Sequence, residues 1–167
     1  YLGRALVRAL LEHGDTVGVI IRGDQTSAVE RACQLFLDCT SRHRDRLLVF
    51  TGDVTGPGLE LYPSITRLVR SGELCLWHLA ANLSFREADK ETVVKTNVDG
   101  TRNVVEFANR HASRFYHVST AFVCGDTREV FRENQLEARQ HFRNWYERSK
   151  YLAEKIVREE CRLPFVV

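Results

Sequence analysis

Five short runs of this chain are apolar through their centres, and a helical pattern stands before each: TVGVII at 16–21, RLLVFTGD at 46–53, ELCLWHLAA at 73–81, RFYHVSTAFV at 114–123 and LPFVV at 163–167. Strands that show apolar side chains to both faces, rather than alternate ones, belong to parallel sheets covered by helices on both sides. Helical patterns at 2–13, 25–40, 59–71 (interrupted or started at Pro63), 90–111 and 145–160 supply those covers. In 2–13, Leu2, Leu6, Ala9 and Leu10 share one face, and Gly14 stops the helix. The order helix, strand, helix, strand predicts an α/β fold, a three-layer doubly wound parallel sheet. No repeat, low-complexity tract or linker interrupts 1–167, so one domain is expected. A strand should also precede helix 2–13. With no methionine anywhere and an apolar run at the end, the chain is expected to be a piece of a longer protein, lacking the first strand of its sheet.

The charge balance narrows the partners. A net charge of +2, from 24 basic and 22 acidic residues without a basic cluster, is no nucleic-acid footprint. No apolar run approaches the ~18 residues of a membrane span, and the charged, helically periodic residues 1–13 do not resemble a signal peptide. Cys33, Cys39, Cys75, Cys124 and Cys161 are odd in number and contain no CxxC, which fits reduced thiols in a cytoplasmic protein. Closely spaced Cys/His ligands are lacking, so no metal site is expected.

Open parallel sheets bind ligands beyond the carboxyl ends of their strands. The distinctive residues sit at those ends. Arg22 follows 16–21, Asp53 follows 46–51, His78, Ala80 and Ala81 end the third run, and Ser119 and Thr120 end the fourth. Tyr146 and Lys150 open the helix before the last run, four residues apart and so on one helix face. Alone, that pair also fits a solvated helix surface. A free phenol, with a pKa near ~10, is a poor base at neutral pH. A nearby ammonium favours the phenolate and makes it a usable acid/base. His78 and His117 are read as packed, structural histidines. The polar stretch 124–143, with Arg132 and Glu133, has no assignable role.

Taken together, GDVTGPGL (52–59), WHLAANLSF (77–85), NVDGTRNVVEFA (97–108), FYHVSTAFVCG (115–125) and YERSKYLAEKIV (146–157) resemble the extended short-chain dehydrogenase/reductases. The wording HVSTAFVCG and YERSKYLAE is most similar to their thioester-reductase and fatty-acyl-reductase-like subgroup. The resemblance implies a Rossmann-like NAD(P)-binding domain. It implies Tyr146 as acid/base, Lys150 as its partner and a hold on the nicotinamide ribose, Ser119 as the hydroxyl that positions the carbonyl, and Thr120 in support. It also implies cofactor contacts from Gly3, Asp53, Val54, Ala80 and Ala81, with Asn97 supporting the site. Arg22 suits the 2′-phosphate of NADP, where an acidic residue would bond the ribose of NAD. Asp24 can compete, so NAD stays open, and Asp53 can also be an ordinary turn aspartate.

Of the family's phosphate-binding Gly-x-x-Gly-x-x-Gly, only the last glycine, Gly3, is present. With the upstream glycines and the C-terminal substrate lobe outside it, this piece alone is expected to bind NADP poorly. The leading expectation is an NADP-dependent oxidoreductase acting on an acyl thioester, aldehyde or ketone. The alternatives are an NAD-dependent nucleotide-sugar epimerase or dehydratase, and a catalytically silent NAD(P)-binding module. A homodimer through helices 90–111 and 145–160 is a family-level expectation.

Overall fold

The computed structural model describes residues 1–36, 42–43, 45–60 and 74–167, which form two compact units. The first is built on Tyr1–Asp53. It runs helix α1 (Leu2–His13), strand β1 (Val17–Ile21), helix α2 (Gln25–Leu35) and strand β2 (Leu47–Thr51). The two strands are parallel, with Val17 opposite Leu47 and Ile21 opposite Thr51. Gly14 ends α1 at φ 109°, a left-handed conformation that costs glycine little, and its N–H reaches the carbonyls of Leu10 and Leu11. Asp24 starts α2 by accepting from the Ser27 N–H at 3.0 Å. The core is Val7, Leu11, Val17, Ala32, Phe36 and Leu47.

The buried stripe of α1 is therefore Val7–Leu11, with Leu10 packed at its margin and Leu2 and Ala9 exposed. Leucine or valine stands on most sides of this helix, so helical spacing alone does not choose the face. The end of the helix expected over 25–40, and most of that expected over 59–71, lie outside the described residues.

The second unit holds Val54–Gly58 and the residues from 74 onward. Strands β3 (Cys75–His78), β4 (Arg114–His117) and β5 (Phe165–Val166) form a parallel sheet in that order. His78 lies opposite His117, and Phe115 opposite Phe165. The helix expected over 90–111 is helical throughout but not uniform. It is α3 (Lys90–Val94), a π turn (Lys95–Asp99) and α4 (Gly100–His111). The π turn closes with the Gly100 N–H on the Lys95 carbonyl. Helix α5 is Trp145–Glu160, as expected. Phe115, Val104, Val105, Ala108, Ala153, Ile156 and Val157 are buried. On the other face of β3 and β4, Trp77 stacks on Tyr116 at 4.0 Å, and Trp77 stays 38% exposed. No helix among the described residues is long and apolar enough to cross a membrane.

Candidate active site

Asn144 and Glu147 fix where α5 begins. The Asn144 carboxamide accepts from the Glu147 N–H at 2.9 Å, and the Glu147 carboxylate accepts from the Arg143 N–H at 3.0 Å. The Asn144 side chain thus caps the helix, and Glu147 reaches back past it to the residue before the cap. It places Tyr146 in the first turn and Lys150 one turn later, both buried.

The Lys150 ammonium donates to the Val118 carbonyl at 2.7 Å and lies 3.4 Å from His117 Nε2. Burial lowers Lys150 to about 8, against an upward pull from the Glu154 carboxylate. The amine therefore keeps its proton at neutral pH. His117 is driven to about 2, chiefly by burial and then by the Lys150 charge and the neighbouring His78 ring, whose protonation it would oppose. His78 is driven to about 3, by burial and then by Lys150. Both rings are neutral. His117 Nε2 faces a donor, so its proton belongs on Nδ1, which has no hydrogen-bond partner among the described residues. Thr101 gives its own proton to the Asn97 carbonyl at 2.6 Å, so His78 Nε2–H donates to the Thr101 oxygen at 3.0 Å.

Asn97 occupies the π turn and ties two elements together. Its Oδ1 accepts from the Asn82 N–H at 2.7 Å. Its Nδ2 donates to the Asn82 carbonyl at 2.9 Å and to Ser149 Oγ at 2.8 Å. Ser149 in turn donates to the Tyr146 carbonyl at 2.8 Å. The loop carrying Ala80 and Ala81 is thus fastened to the turn of α5 that carries the phenol. Val54 belongs to the same unit: its carbonyl accepts from Asn103 at 2.9 Å, and a Cβ on Gly100 would meet its side chain at 3.0 Å.

Ser119 and Thr120 take different roles. The Ser119 hydroxyl donates to Glu154 Oε2 at 2.7 Å, while Thr120 Oγ1 accepts from the Phe122 N–H at 3.3 Å and keeps its own proton to donate. Phe85 lies 5.2 Å from the Tyr146 ring and edge-on to Phe122 at 6.4 Å. Both phenylalanines are largely exposed, so an apolar wall flanks the phenol. Sequence reasoning passed over Glu154, Arg158, Phe85 and Phe122. The spacing Lys150–Glu154–Arg158, a charge at every fourth residue on one helix face, was the signal for the first two.

Gly3, Arg22 and Asp53 lie in the first unit. Gly3 is in the first turn of α1. Arg22, at the end of β1, is 76% exposed and 3.9 Å from Asp53, a surface pair worth about 0–1 kcal/mol. Asp24 is committed elsewhere: both oxygens accept from Ser27, at 3.0 Å from its N–H and 2.7 Å from its hydroxyl, and these bonds hold the carboxyl below its usual range. Arg31 reaches back beside Gly23, where an added Cβ would stand 2.5 Å from its guanidinium. Two guanidiniums therefore border the 22–24 turn. This donor set fits an anionic group better than a ribose diol.

An NAD-binding family model described as "Male sterility protein" matches residues 1–167. Peramine synthetase ppzA of Metarhizium rileyi (strain RCEF 4871) is 30% identical over 167 residues, covering 95% of this chain and 6% of that protein's length. Among solved structures, the terminal R domain from the myxalamid PKS-NRPS biosynthetic pathway matches with TM-score 0.84 at 24% identity, over 99% of this chain and 44% of that one. The Bordetella bronchiseptica enzyme WbmG, solved with NAD and UDP, matches with TM-score 0.70 at 22% identity, over 99% and 48%. These likenesses establish the α/β, Rossmann-like fold and agree with the resemblance to extended short-chain dehydrogenase/reductases of thioester-reductase type. By the match along its whole length, this chain belongs to the Male sterility protein family of NAD-binding domains.

Proposed function

We propose that this domain is the cofactor-binding and catalytic part of an NADP-dependent oxidoreductase that reduces a carbonyl compound. When bound, the dihydronicotinamide supplies the hydride. Tyr146 delivers a proton to the carbonyl oxygen, or removes one from an alcohol in reverse. Lys150 keeps a positive charge one turn away. Its ammonium is fixed on the Val118 carbonyl at 2.7 Å, which leaves N–H capacity for the cofactor ribose. The observation that carries this reading is a buried lysine, its ammonium held on the Val118 carbonyl, on the same helix face as a buried tyrosine.

We place Thr120, rather than Ser119, against the carbonyl oxygen, because the Ser119 proton is already donated to Glu154. Arg22, with Arg31 beside it, and the commitment of Asp24 to its helix cap support NADP over NAD. Gly3, Asp53, Val54, Ala80 and Ala81 are proposed along the cofactor, with Asn97 holding the Ala80–Ala81 loop in place. Among carbonyl substrates, the likeness of the HVSTAFVCG and YERSKYLAE wording to thioester reductases favours an acyl thioester over a free aldehyde or ketone. A cytoplasmic setting suits Cys33, Cys75, Cys124 and Cys161, which are all free thiols. A homodimer through 90–111 and 145–160 belongs to the same proposal.

The test uses the intact protein. NADPH absorbance is followed with a panel of acyl thioesters and aldehydes, for wild type and Tyr146→Phe. Substrate-dependent oxidation that vanishes in the variant, with NADPH binding retained, is the expected result. Tightly held NAD without net oxidation points instead to a sugar epimerase or dehydratase. Tight NADPH binding without turnover points to a silent module.

A further inference from the structure

Glu154 stands one turn beyond Lys150 on the buried face of α5. A buried carboxylate is costly unless its oxygens are satisfied. Here Oε1 accepts from Arg158 Nε at 3.0 Å and Nη2 at 2.7 Å, and Oε2 accepts from the Ser119 hydroxyl at 2.7 Å. A plain packing ion pair would need only Arg158. The second oxygen instead takes a hydroxyl from the end of β4, one residue past the carbonyl that anchors Lys150. Val118 and Ser119 are thus pinned to α5 by two residues of opposite charge, one turn apart.

The groups that face Lys150 are few. From α5 come Tyr146 and Glu154, with Arg158 behind Glu154. From β4 comes His117, and from β3 His78, both neutral. Among the described residues, Glu154 is the one carboxylate in that set.

We propose that Glu154 is a positioning residue of this site: with Lys150 it clamps the end of β4 to α5, draws Ser119 aside so that Thr120 is presented, and supplies the counter-charge that keeps Lys150 protonated. This rests on the oxidoreductase reading above. The sign of the effect follows from the charges. Glu154→Gln keeps an acceptor for Ser119 but removes the anion, so Lys150 gives up its proton at lower pH. Arg158→Gln removes the cation that offsets Glu154, so Lys150 holds its proton to higher pH.

The experiment measures NADPH affinity by fluorescence and kcat/KM with an acyl thioester in the intact protein, between about pH 6 and 10. Wild type, Glu154→Gln, Glu154→Asp and Arg158→Gln are compared, with melting curves for each. The expected result is an alkaline limb displaced by about one pH unit downward in Glu154→Gln and upward in Arg158→Gln, with Glu154→Asp close to wild type. A damaged fold would move both glutamine variants the same way. Limbs that move together, or not at all, overturn the inference while leaving an active wild type and its functional reading intact. Should Glu154→Gln fail to fold, the Arg158→Gln limb decides, since an unmoved or lowered limb there rejects the counter-charge. A wild type that binds no NADPH removes the functional reading and this inference together.

Discussion

Acidification should weaken this fold through two particular rings. His78 and His117 are each 4% exposed and neutral, held far below the 6.5 of a free imidazole. In the unfolded chain both recover that ordinary value. Their folded pKa values are depressed, so between 6.5 and about 3 for His78, or about 2 for His117, the unfolded state binds more protons. Stability contributed by their neutrality is therefore full above pH 6.5 and is lost as pH falls through that window. From pH 7 to pH 5 each ring costs about 2 kcal/mol by linkage, a figure set by the unfolded value so long as the folded one stays well below 5. His117→Phe isolates one ring, since it keeps an aromatic at the site and abandons only the acceptor toward Lys150. In the shortest form of the protein that melts cooperatively, the variant should lose about 2 kcal/mol less than wild type between those pH values. That corresponds to a melting-temperature drop smaller by roughly 4–8 °C. Differential scanning fluorimetry at the two pH values gives the answer directly. An equal acid-induced drop in both proteins would falsify the claim that His117 is held neutral.

Three further outcomes follow from the site. Arg22→Ala should weaken NADPH by about 1.5–3 kcal/mol, roughly 10- to 150-fold, and leave NADH nearly unchanged, because the lost group pairs with a phosphate that NADH lacks; equal losses for both cofactors in titration would remove the NADP assignment. Thr120→Val should lower kcat/KM by about 10²–10³-fold, more than Ser119→Ala does, as expected for loss of a donor to developing charge; the reverse order would return Ser119 to the carbonyl. Asn97→Ala strips partners from the Asn82 backbone and from Ser149, so stability should fall by about 1–3 kcal/mol, visible as an earlier melt.

How far the residues themselves foretold this arrangement differs by element. Helix α5 was legible to the residue, because a polar loop meets an amphipathic run at Asn144, a natural cap. The strands were legible at their centres but ran too long. RFYHVSTAFV pairs only from Arg114 to His117 and then gives way to a 3₁₀ turn at Ala121–Cys124. That early ending hid the different hydrogen bonds of Ser119 and Thr120, since the Ser119 bond depends on a carboxylate 35 residues downstream. The four-residue spacing of Tyr146 and Lys150 predicted a shared helix face, and both are buried on that helix. Glu154 stayed hidden because one more glutamate on a charged helix looks like solvated surface until its burial is known. The faces of β3 were likewise misjudged: its run is apolar on both sides, yet Cys75 and Trp77 are exposed.

The π turn at Lys95–Asp99 has one more consequence. Each residue added to a helix advances its azimuth by about 100°, and a π turn inserts one residue without lengthening the hydrogen-bonded ladder to match. The helix thus contains a phase slip. Val93 before it and Val104, Val105 and Ala108 after it all face inward, and Asn97 does so at the slip itself. Removing one residue between Lys95 and Asp99 would straighten the ladder, but it would swing everything downstream by about 100° and carry those valines toward solvent. Adding one would swing them the other way. Length changes in this helix are therefore tolerated only in steps near a whole turn, whereas the irregular stretch from Gly125 to Arg143 has no phase to keep.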